Sequence, residues 1–430
     1  MKSVWCIISF LEVLISFSVS QRIQDANHQI VQNGLLNFGV KMNTILLENN
    51  TESKNILFSP FNLYATLALI HLGSNGTTSD EISNVLGIPK TFSPKILHEV
   101  LQHFSSAAQT SFHFNKSFKN GTKVDVKASD LKLGSGIFIQ KDFKLKAAYV
   151  EAVQRHHSSK VFRVDFNNKS EEVKHMINEF IANKTEYRIH ELLDEPLSQD
   201  TLLMLTSCSH LKSVWLDKFD PALTNRETFY TGKRNFTVKM MNSVVSAPYA
   251  NISSLGVEVV KLRFIDKACS MFVVLPYENQ PLETLLLRNL TSDKINTIVD
   301  EINKLDEDFD VVLKLPKTAF KWSKSVKNQL IQLGLDAETF ESPDLSDMIE
   351  EKNTTRMIEI DDISHSTDIK INEDGSDTNA VSIVSCEWRM YNYESVIFHV
   401  NRPFFFFIYN RNVKTVLFFG TVFDPNGDSN

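Results

Sequence analysis

Hydrophobic residues recur at helical spacing in the first third of the chain. Ile30, Leu35, Phe38, Met42 and Leu46 show this spacing between residues 28 and 48. A polar, lysine-containing stretch over 110–130 predicts a loop instead. Helices are predicted over 28–48, 61–72, 78–86, 94–106 and 147–157, and from 171 to about 186, with Gly73 and Gly87 as stop signals.

Short apolar runs dominate the rest of the chain. The phenylalanine-rich run at 403–409 is far shorter than the roughly 20 residues that a membrane helix needs, so it predicts a buried strand. Because helices come first, strands come late and no β-α-β unit repeats, the order indicates an α+β fold with large sheets. Further strands are predicted within 55–60 and over 131–139, 161–166, 204–215, 238–241, 256–264, 270–275, 310–315, 369–371, 397–400 and 416–422.

The N-terminus has the pattern of a secretory signal. Lys2 precedes an apolar run from Val4 to Val19, and the small residues Ser18 and Ser20 precede Gln21. We therefore predict a signal peptide over 1–20, a single domain over 21–430 and an extracellular protein. No membrane anchor is expected.

Asn-x-Ser/Thr sequences agree with export, because a glycan needs an exposed loop of a secreted chain. Asn75 and Asn183 are disfavoured, since their surroundings are apolar and helical. The candidate glycosylation sites are Asn49, Asn115, Asn120, Asn168, Asn235, Asn251, Asn289 and Asn353. If Cys6 is removed with the signal, Cys208, Cys269 and Cys386 remain, which is too few for a disulfide framework and allows one bridge at most.

Charge and motif searches exclude several functions. A net charge of −7 argues against general nucleic-acid binding, which needs a concentrated basic surface. Phosphate-binding, dinucleotide-binding and nucleophile-elbow patterns are missing. His98 and His103 are five residues apart, whereas a helical zinc site needs a spacing of four. We therefore predict surface histidines there and no metal site.

The most specific motifs lie near the C-terminus. Residues 398–408, FHVNRPFFFFI, and 417–425, LFFGTVFDP, resemble the C-terminal signature of the serpins. Other motifs follow in the family's order, and the resemblance covers residues 28–425. They are NILFSP at 55–60, LG at 72–73 and 86–87, VDF at 164–166, KSVW at 212–215, LPK at 315–317, LGL at 333–335 and DLS at 344–346.

The resemblance implies three β-sheets, about nine helices and an exposed reactive loop over about 372–396. It implies no catalytic residues and no enzymatic activity. An inhibitory serpin is cut in this loop by its protease, and the cut loop inserts as a new strand while the acyl-enzyme is still intact. The hinge of the loop corresponds to Glu373, Gly375, Ser376, Thr378 and Ala380.

An inserting strand must bury alternate side chains. The inward set is Ser376, Thr378, Ala380, Ser382 and Val384, which carries no charge. Insertion is therefore permitted, because a charged inward residue would cost several kcal/mol. Thr378 and Asn379 depart from the alanines that are usual in family inhibitors, and only Thr378 faces inward.

Family spacing from Gly375 places the scissile bond between Arg389 and Met390. Arginine at this position suits a trypsin-like protease, whose pocket ends in a carboxylate. Trp388 is bulky and should restrict which proteases can bind. A solvated loop arginine, or cleavage at Met390 or Tyr391 by a chymotrypsin-like enzyme, is the alternative.

The family's shutter, where the central strands part, corresponds to Ser59 and His365. Asn62 stands where a small serine is usual and Ser207 where an asparagine is usual, which indicates either an exchanged hydrogen-bond set or a loosened shutter.

Cys386 in the loop is interpreted as a spare thiol. Sulfated polysaccharide is a possible cofactor, although a solvated loop is favoured; the lysines concerned are Lys116, Lys119, Lys123, Lys127 and Lys132.

The resulting hypothesis is a secreted, monomeric inhibitor that forms a covalent complex with a trypsin-like serine protease and binds neither nucleic acid nor membrane. The alternative is a non-inhibitory serpin that carries a ligand or acts in storage or signalling.

Overall fold

The structure is a computed structural model. It describes residues 2–109, 112–117, 123–155, 159–232, 234–305, 308–350, 357–376 and 395–427, without the side chains of 2–20, 112–117, 123–128, 288 and 289. Ten α-helices occur in these residues: Lys2–Glu48 (α1), Pro60–Gly73 (α2), Gly76–Leu86 (α3), Pro94–Ala108 (α4), Ala147–Arg155 (α5), Phe166–Lys184 (α6), Leu282–Thr284 (α7), Ser292–Asn303 (α8), Lys327–Leu333 (α9) and Glu338–Glu341 (α10).

The described residues also contain seventeen strands. They are Ile56–Phe58 (β1), Phe112–Ser117 (β2), Lys123–Gln140 (β3), Ser159–Val164 (β4), Leu203–Val214 (β5), Asn225–Tyr230 (β6), Asn235–Ala247 (β7), Tyr249–Ile252 (β8), Val257–Arg263 (β9), Cys269–Pro276 (β10), Phe309–Pro316 (β11), Thr318–Ser325 (β12), Asp362–Ile371 (β13), Gly375–Ser376 (β14), Val396–His399 (β15), Phe404–Asn410 (β16) and Thr415–Val422 (β17).

These strands form three sheets, as the α+β prediction requires. The central sheet has the order β12-β13-β14-β5-β3-β2, with β4 paired to β3. A six-stranded sheet has the order β1-β17-β16-β10-β9-β8, and a four-stranded sheet has the order β15-β11-β7-β6. The predicted buried strand at 403–409 is β16, which lies inside the six-stranded sheet.

Helix α2 lies between the central and six-stranded sheets. It contacts β3 and β5 on one side and β17 on the other. All of its residues except Leu72 are buried, as expected for a helix that is hydrophobic on every side. Ser59 begins the helix, because its side-chain oxygen accepts a hydrogen bond from the Asn62 N–H at 3.2 Å.

The prediction of a loop over 110–130 is wrong. Strand β2 pairs antiparallel with residues 123–129 of β3, and β3 continues past the end of β5. In the sequence, Val124 and Val126 alternate with Lys123, Asp125 and Lys127, which is the period of a strand. The abundance of lysine concealed that period.

Helices α7 to α10 and strands β6, β8 and β12 were not predicted either. Helix α8 buries Ile295, Ile298, Val299 and Ile302, which is a clear amphipathic spacing. The first helix spans Lys2–Glu48, so it also includes the predicted signal segment. Among the residues described, no helix is both long enough and apolar enough to cross a membrane.

Candidate functional site

The candidate site is the place where another strand can separate β5 from β13, here called the gap. These parallel strands pair directly over seven rows, from Asp362 opposite Met204 to Asp368 opposite His210. Beyond the last row, β14 lies between them: Ser376 is opposite Ser213 of β5 and Ile371 of β13. The two strands are therefore already separated at one end, here called the hinge end, and joined at the other, the closed end.

A tight turn brings β14 back into the sheet at the hinge end. The Asn372 side-chain oxygen accepts hydrogen bonds from the N–H groups of Asp374 and Gly375, both at 3.0 Å. The Trp215 indole N–H donates to the Asn372 carbonyl at 2.9 Å. Gly375 has a φ of 150°, and a Cβ there would lie 2.0 Å from the Ser213 carbonyl oxygen. Only glycine fits this position.

Charged pairs hold the same turn. Glu373 is buried and accepts hydrogen bonds from Lys317 Nζ at 2.6 Å and Thr224 Oγ1 at 3.0 Å. Burial opposes ionisation of Glu373, but these hydrogen bonds outweigh it and hold the pKa of Glu373 below its ordinary value. Lys218 Nζ lies 2.7 Å from the Asp374 carboxylate. Predicted hinge residues Glu373, Gly375 and Ser376 therefore lie together.

Ser376 is fully buried, and its hydroxyl donates to the Leu211 carbonyl at 2.9 Å. The neighbouring Ser213 hydroxyl donates to Ser129 Oγ at 3.3 Å. The Ser129 hydroxyl in turn donates to the Asp266 carboxylate. Hydrogen bonds from Ser213 through Ser129 to Asp266 thus tie the β5 residue opposite Ser376 to β3 and to the β9–β10 turn.

At the closed end, His365 joins three segments of the chain. The Ser59 N–H donates to His365 Nε2 at 3.0 Å, so Nε2 is the acceptor and the proton lies on Nδ1. That N–H donates to Ser207 Oγ at 2.5 Å. Complete burial lowers the pKa of His365 to about 3, so the ring is neutral.

Asn62 completes this hydrogen-bond set. Its amide donates to the Cys208 carbonyl at 2.8 Å and the Gly134 carbonyl at 3.2 Å, which links α2 to β5 and β3. The Ser59 hydroxyl donates to the Leu417 carbonyl of β17 at 2.7 Å. Asn62 and Ser207 thus belong to one connected set with Ser59 and His365, which favours the exchanged set over a loosened one.

Several predicted site residues lie outside the residues described. These are the hinge residues Thr378 and Ala380, the reactive-bond residues Arg389 and Met390, the selectivity residue Trp388 and the loop thiol Cys386. Their assignments stay predictions.

The glycosylation candidates are only partly described. Asn49, Asn168, Asn235 and Asn251 are exposed, whereas the side chains of Asn115 and Asn289, and all of Asn120 and Asn353, lie outside the described part. Asn75 and Asn183 are exposed as well, so the expectation of apolar surroundings for them is wrong. Asn75 lies at the N-terminus of α3, where its side chain caps the helix.

Other predicted residues have structural partners. Cys208 and Cys269 are free and buried, and burial raises the pKa of each thiol to about 12. His98 is buried, with Nε2 3.0 Å from the Ala152 carbonyl, so the prediction of two surface histidines is wrong for His98. Lys132 contacts the carboxylates of Asp130 and Glu186, each at 3.0 Å. Within the described residues no cluster of three metal-binding side chains occurs.

Sequence reasoning missed the residues that hold the hinge turn. Lys317 and Thr224 lie far along the chain from Glu373, so local spacing carries no signal of this contact. Lys317 belongs to the LPK motif at 315–317, for which no role was predicted. The side-chain contacts between distant segments, which only the structure supplies, identify these partners.

Comparison with known proteins gives the family. The family model described as "Serpin (serine protease inhibitor)" matches residues 33–425. The chain belongs to the serpin family. Intracellular coagulation inhibitor 2 of Tachypleus tridentatus is 28% identical over 93% of this serpin and 92% of that protein. Leukocyte elastase inhibitor of Xenopus tropicalis is also 28% identical, over 88% and 95%.

The fold is similar to that of solved serpin structures. Human thyroxine-binding globulin, solved with its ligand bound, superposes with a TM-score of 0.79 at 22% identity, over 93% of this serpin and 100% of that chain. The three sheets implied by the sequence resemblance are confirmed, with ten helices in the described residues instead of about nine.

Proposed function

We propose that this serpin inhibits a trypsin-like serine protease by inserting its cut reactive loop between β5 and β13. One observation carries the proposal: β14 already occupies the first row of the gap, with Ser376 between Ile371 and Ser213. Most members of the family are protease inhibitors, and the two relatives compared above carry inhibitor names.

The register of β14 defines what insertion requires. If the strand continues from Ser376 in register, position 378 comes between Leu211 and Ile369, and position 382 between Ser207 and His365. Each inserted row replaces one direct β5–β13 row by two new ones. Small, uncharged inward residues fit this path, since their neighbours at the closed end are fully buried.

The chemistry proposed at the loop is ordinary acyl transfer stopped midway. The protease serine attacks the Arg389 carbonyl, the bond to Met390 breaks, and the new amino group of Met390 takes up the proton. The ester to Arg389 remains as the covalent complex because insertion distorts the protease before water can hydrolyse it. Arg389 supplies the cation for the protease pocket, and Trp388 restricts the neighbouring subsite.

Incubation with trypsin followed by a denaturing gel tests this proposal. A covalent complex is expected for the wild type and no complex for Arg389→Ala. Thr378→Arg should be cleaved without forming a complex, because a charged side chain would have to be buried during insertion. An Arg389→Ala variant that still inhibits would show that the assigned bond is wrong.

The second candidate is a non-inhibitory serpin that carries a ligand, or acts in storage or signalling. This candidate is considered because the fold is similar to that of human thyroxine-binding globulin, which was solved with its ligand bound. That similarity concerns the fold alone. Clean cleavage of the wild-type loop without a covalent complex would support this candidate.

We also propose that the protein is secreted after removal of residues 1–20. The apolar N-terminal run supports this proposal, while the name of one relative describes an intracellular protein. Expression in a secretory cell line and mass measurement of the protein in the medium test it. Protein retained in the cell with residues 1–20 intact would contradict it.

A further inference from the structure

Four titratable side chains form one row across the central sheet. Lys132 of β3 is opposite His210 of β5, His210 is opposite Asp368 of β13, and Asp368 is opposite Lys321 of β12. Directly opposed residues project from the same face of a sheet. The His210–Asp368 pair is also the last direct β5–β13 row before β14 separates the strands.

The two central members of this row are in contact. His210 Nδ1 lies 3.2 Å from the Asp368 carbonyl oxygen and 3.7 Å from a carboxylate oxygen of the same residue. The His210 side chain is 3% exposed and that of Asp368 is 18% exposed. An attraction between the ring N–H and the carboxylate is therefore screened less by water than a contact at the surface.

We propose that His210 and Asp368 act as positioning residues that resist the separation of β5 and β13, so that they set the rate of strand insertion. This inference rests on the proposed function, because insertion is the event that separates the strands. Neighbouring strands lie about 4.8 Å apart, so a strand placed between β5 and β13 would double their separation and end the contact. The pair thus stabilises only the closed sheet.

Other charged side chains surround the pair. The neighbouring cation Lys132 is neutralised by Asp130 and Glu186. Further charged groups among the described residues include Lys321 opposite Asp368, Lys212 and Lys370 in the next row on the same face, and Lys184 of α6 beside Cys208.

The test measures how fast the intact protein opens its sheet. Hydrogen exchange of the β5 and β13 amides, and conversion to inserted or polymeric forms on a native gel at raised temperature, should both accelerate about tenfold in Asp368→Asn, which corresponds to about 1.4 kcal/mol. Asp368→Glu keeps the carboxylate and should open at a rate close to that of the wild type. Asp347→Asn is the matched control, because Asp347 pairs with Lys146 at a similar 3.8 Å but is exposed.

A double-mutant cycle completes the test. If Asp368→Asn does not fold, His210→Gln replaces it, with faster hydrogen exchange of the β5 and β13 amides as the readout. When both single variants fold, the double variant should open no faster than Asp368→Asn. Independent, additive effects, or exchange rates equal to those of the wild type, would overturn the inference. Failure of the wild type to form a covalent complex with trypsin would instead count against the proposed function, since hydrogen exchange needs no protease.

Discussion

The two ends of the gap between β5 and β13 are held in different ways. At the hinge end, a two-residue strand separates the strands, and partly exposed ion pairs such as Lys317–Glu373 fix the turn that precedes it. At the closed end the strands pair directly, and the neutral, fully buried ring of His365 joins them. The contrast indicates that separation proceeds from the hinge end and that the buried hydrogen bonds at the closed end oppose its completion.

Gly375→Ala should cause the largest loss in the free energy of unfolding, and it disrupts the hinge end alone. The new Cβ would lie 2.0 Å from the Ser213 carbonyl oxygen at a φ of 150°, so β14 must leave the gap. Urea unfolding should show a loss of about 3 kcal/mol. Gly232→Ala is the control: its φ is also positive, at 78°, but nothing lies within 4 Å, so it should lose only about 1 kcal/mol. Similar losses in both variants would refute the packing argument.

His365→Ala tests the closed end. The substitution leaves the Ser59 N–H and the Ser207 hydroxyl without the ring that links them. Two buried polar groups that lose a partner should reduce the free energy of unfolding by about 2 kcal/mol. Protease resistance of the intact protein at raised temperature should fall in parallel. Unchanged stability would show that the ring contributes nothing to closure.

The buried ring also predicts a pH dependence. Burial lowers the pKa of His365 to about 3, whereas in the unfolded chain it is about 6.5. Between these values the unfolded state binds more protons, so stability falls as pH decreases below 6.5. The His365 contribution should amount to about 2 kcal/mol between pH 7 and pH 5. Urea titrations of the wild type and His365→Ala at both pH values should therefore converge at acid pH, and parallel curves would contradict the prediction.

Lys317→Met should have the smallest effect, since Lys317 is about one-third exposed. The variant leaves the buried Glu373 carboxylate without its cation, and we expect a loss of about 1 kcal/mol at pH 7. The wild-type contribution is present above the ordinary glutamate pKa of about 4.3 and is lost at lower pH. Lys144→Met breaks the exposed pair with Glu350 and should leave the melting temperature unchanged. Equal shifts in the two variants would contradict a special role for the hinge pair.

Much of this architecture could be predicted from local sequence. The mostly apolar helix α2, the phenylalanine-rich β16 and the order of motifs each depend on neighbouring residues. Strand β12 could have been predicted too, because its alternate residues Thr318, Phe320 and Trp322 are buried. Motif order was therefore sufficient for the family, although several elements were missed.

The contacts that hold the gap could not be predicted in this way. Ser207 and His365 lie 158 residues apart in the chain, and Ser59 reaches the same ring from a third segment. Sequence resemblance suggests that Ser59 and His365 belong together, but it leaves open whether Asn62 and Ser207 share their hydrogen bonds. Only the register of β13 against β5 fixes which residues are opposed.

Comparison of the melting temperatures of intact and clipped protein tests insertion between β5 and β13 most directly. The intact protein is cut within residues 377–394 by a protease that forms no covalent complex with it, separated from that protease and heated beside the uncut protein. Insertion adds a full strand to the central sheet, so the clipped form should melt at a much higher temperature than the intact form. Equal or lower thermal stability after cleavage would contradict the account.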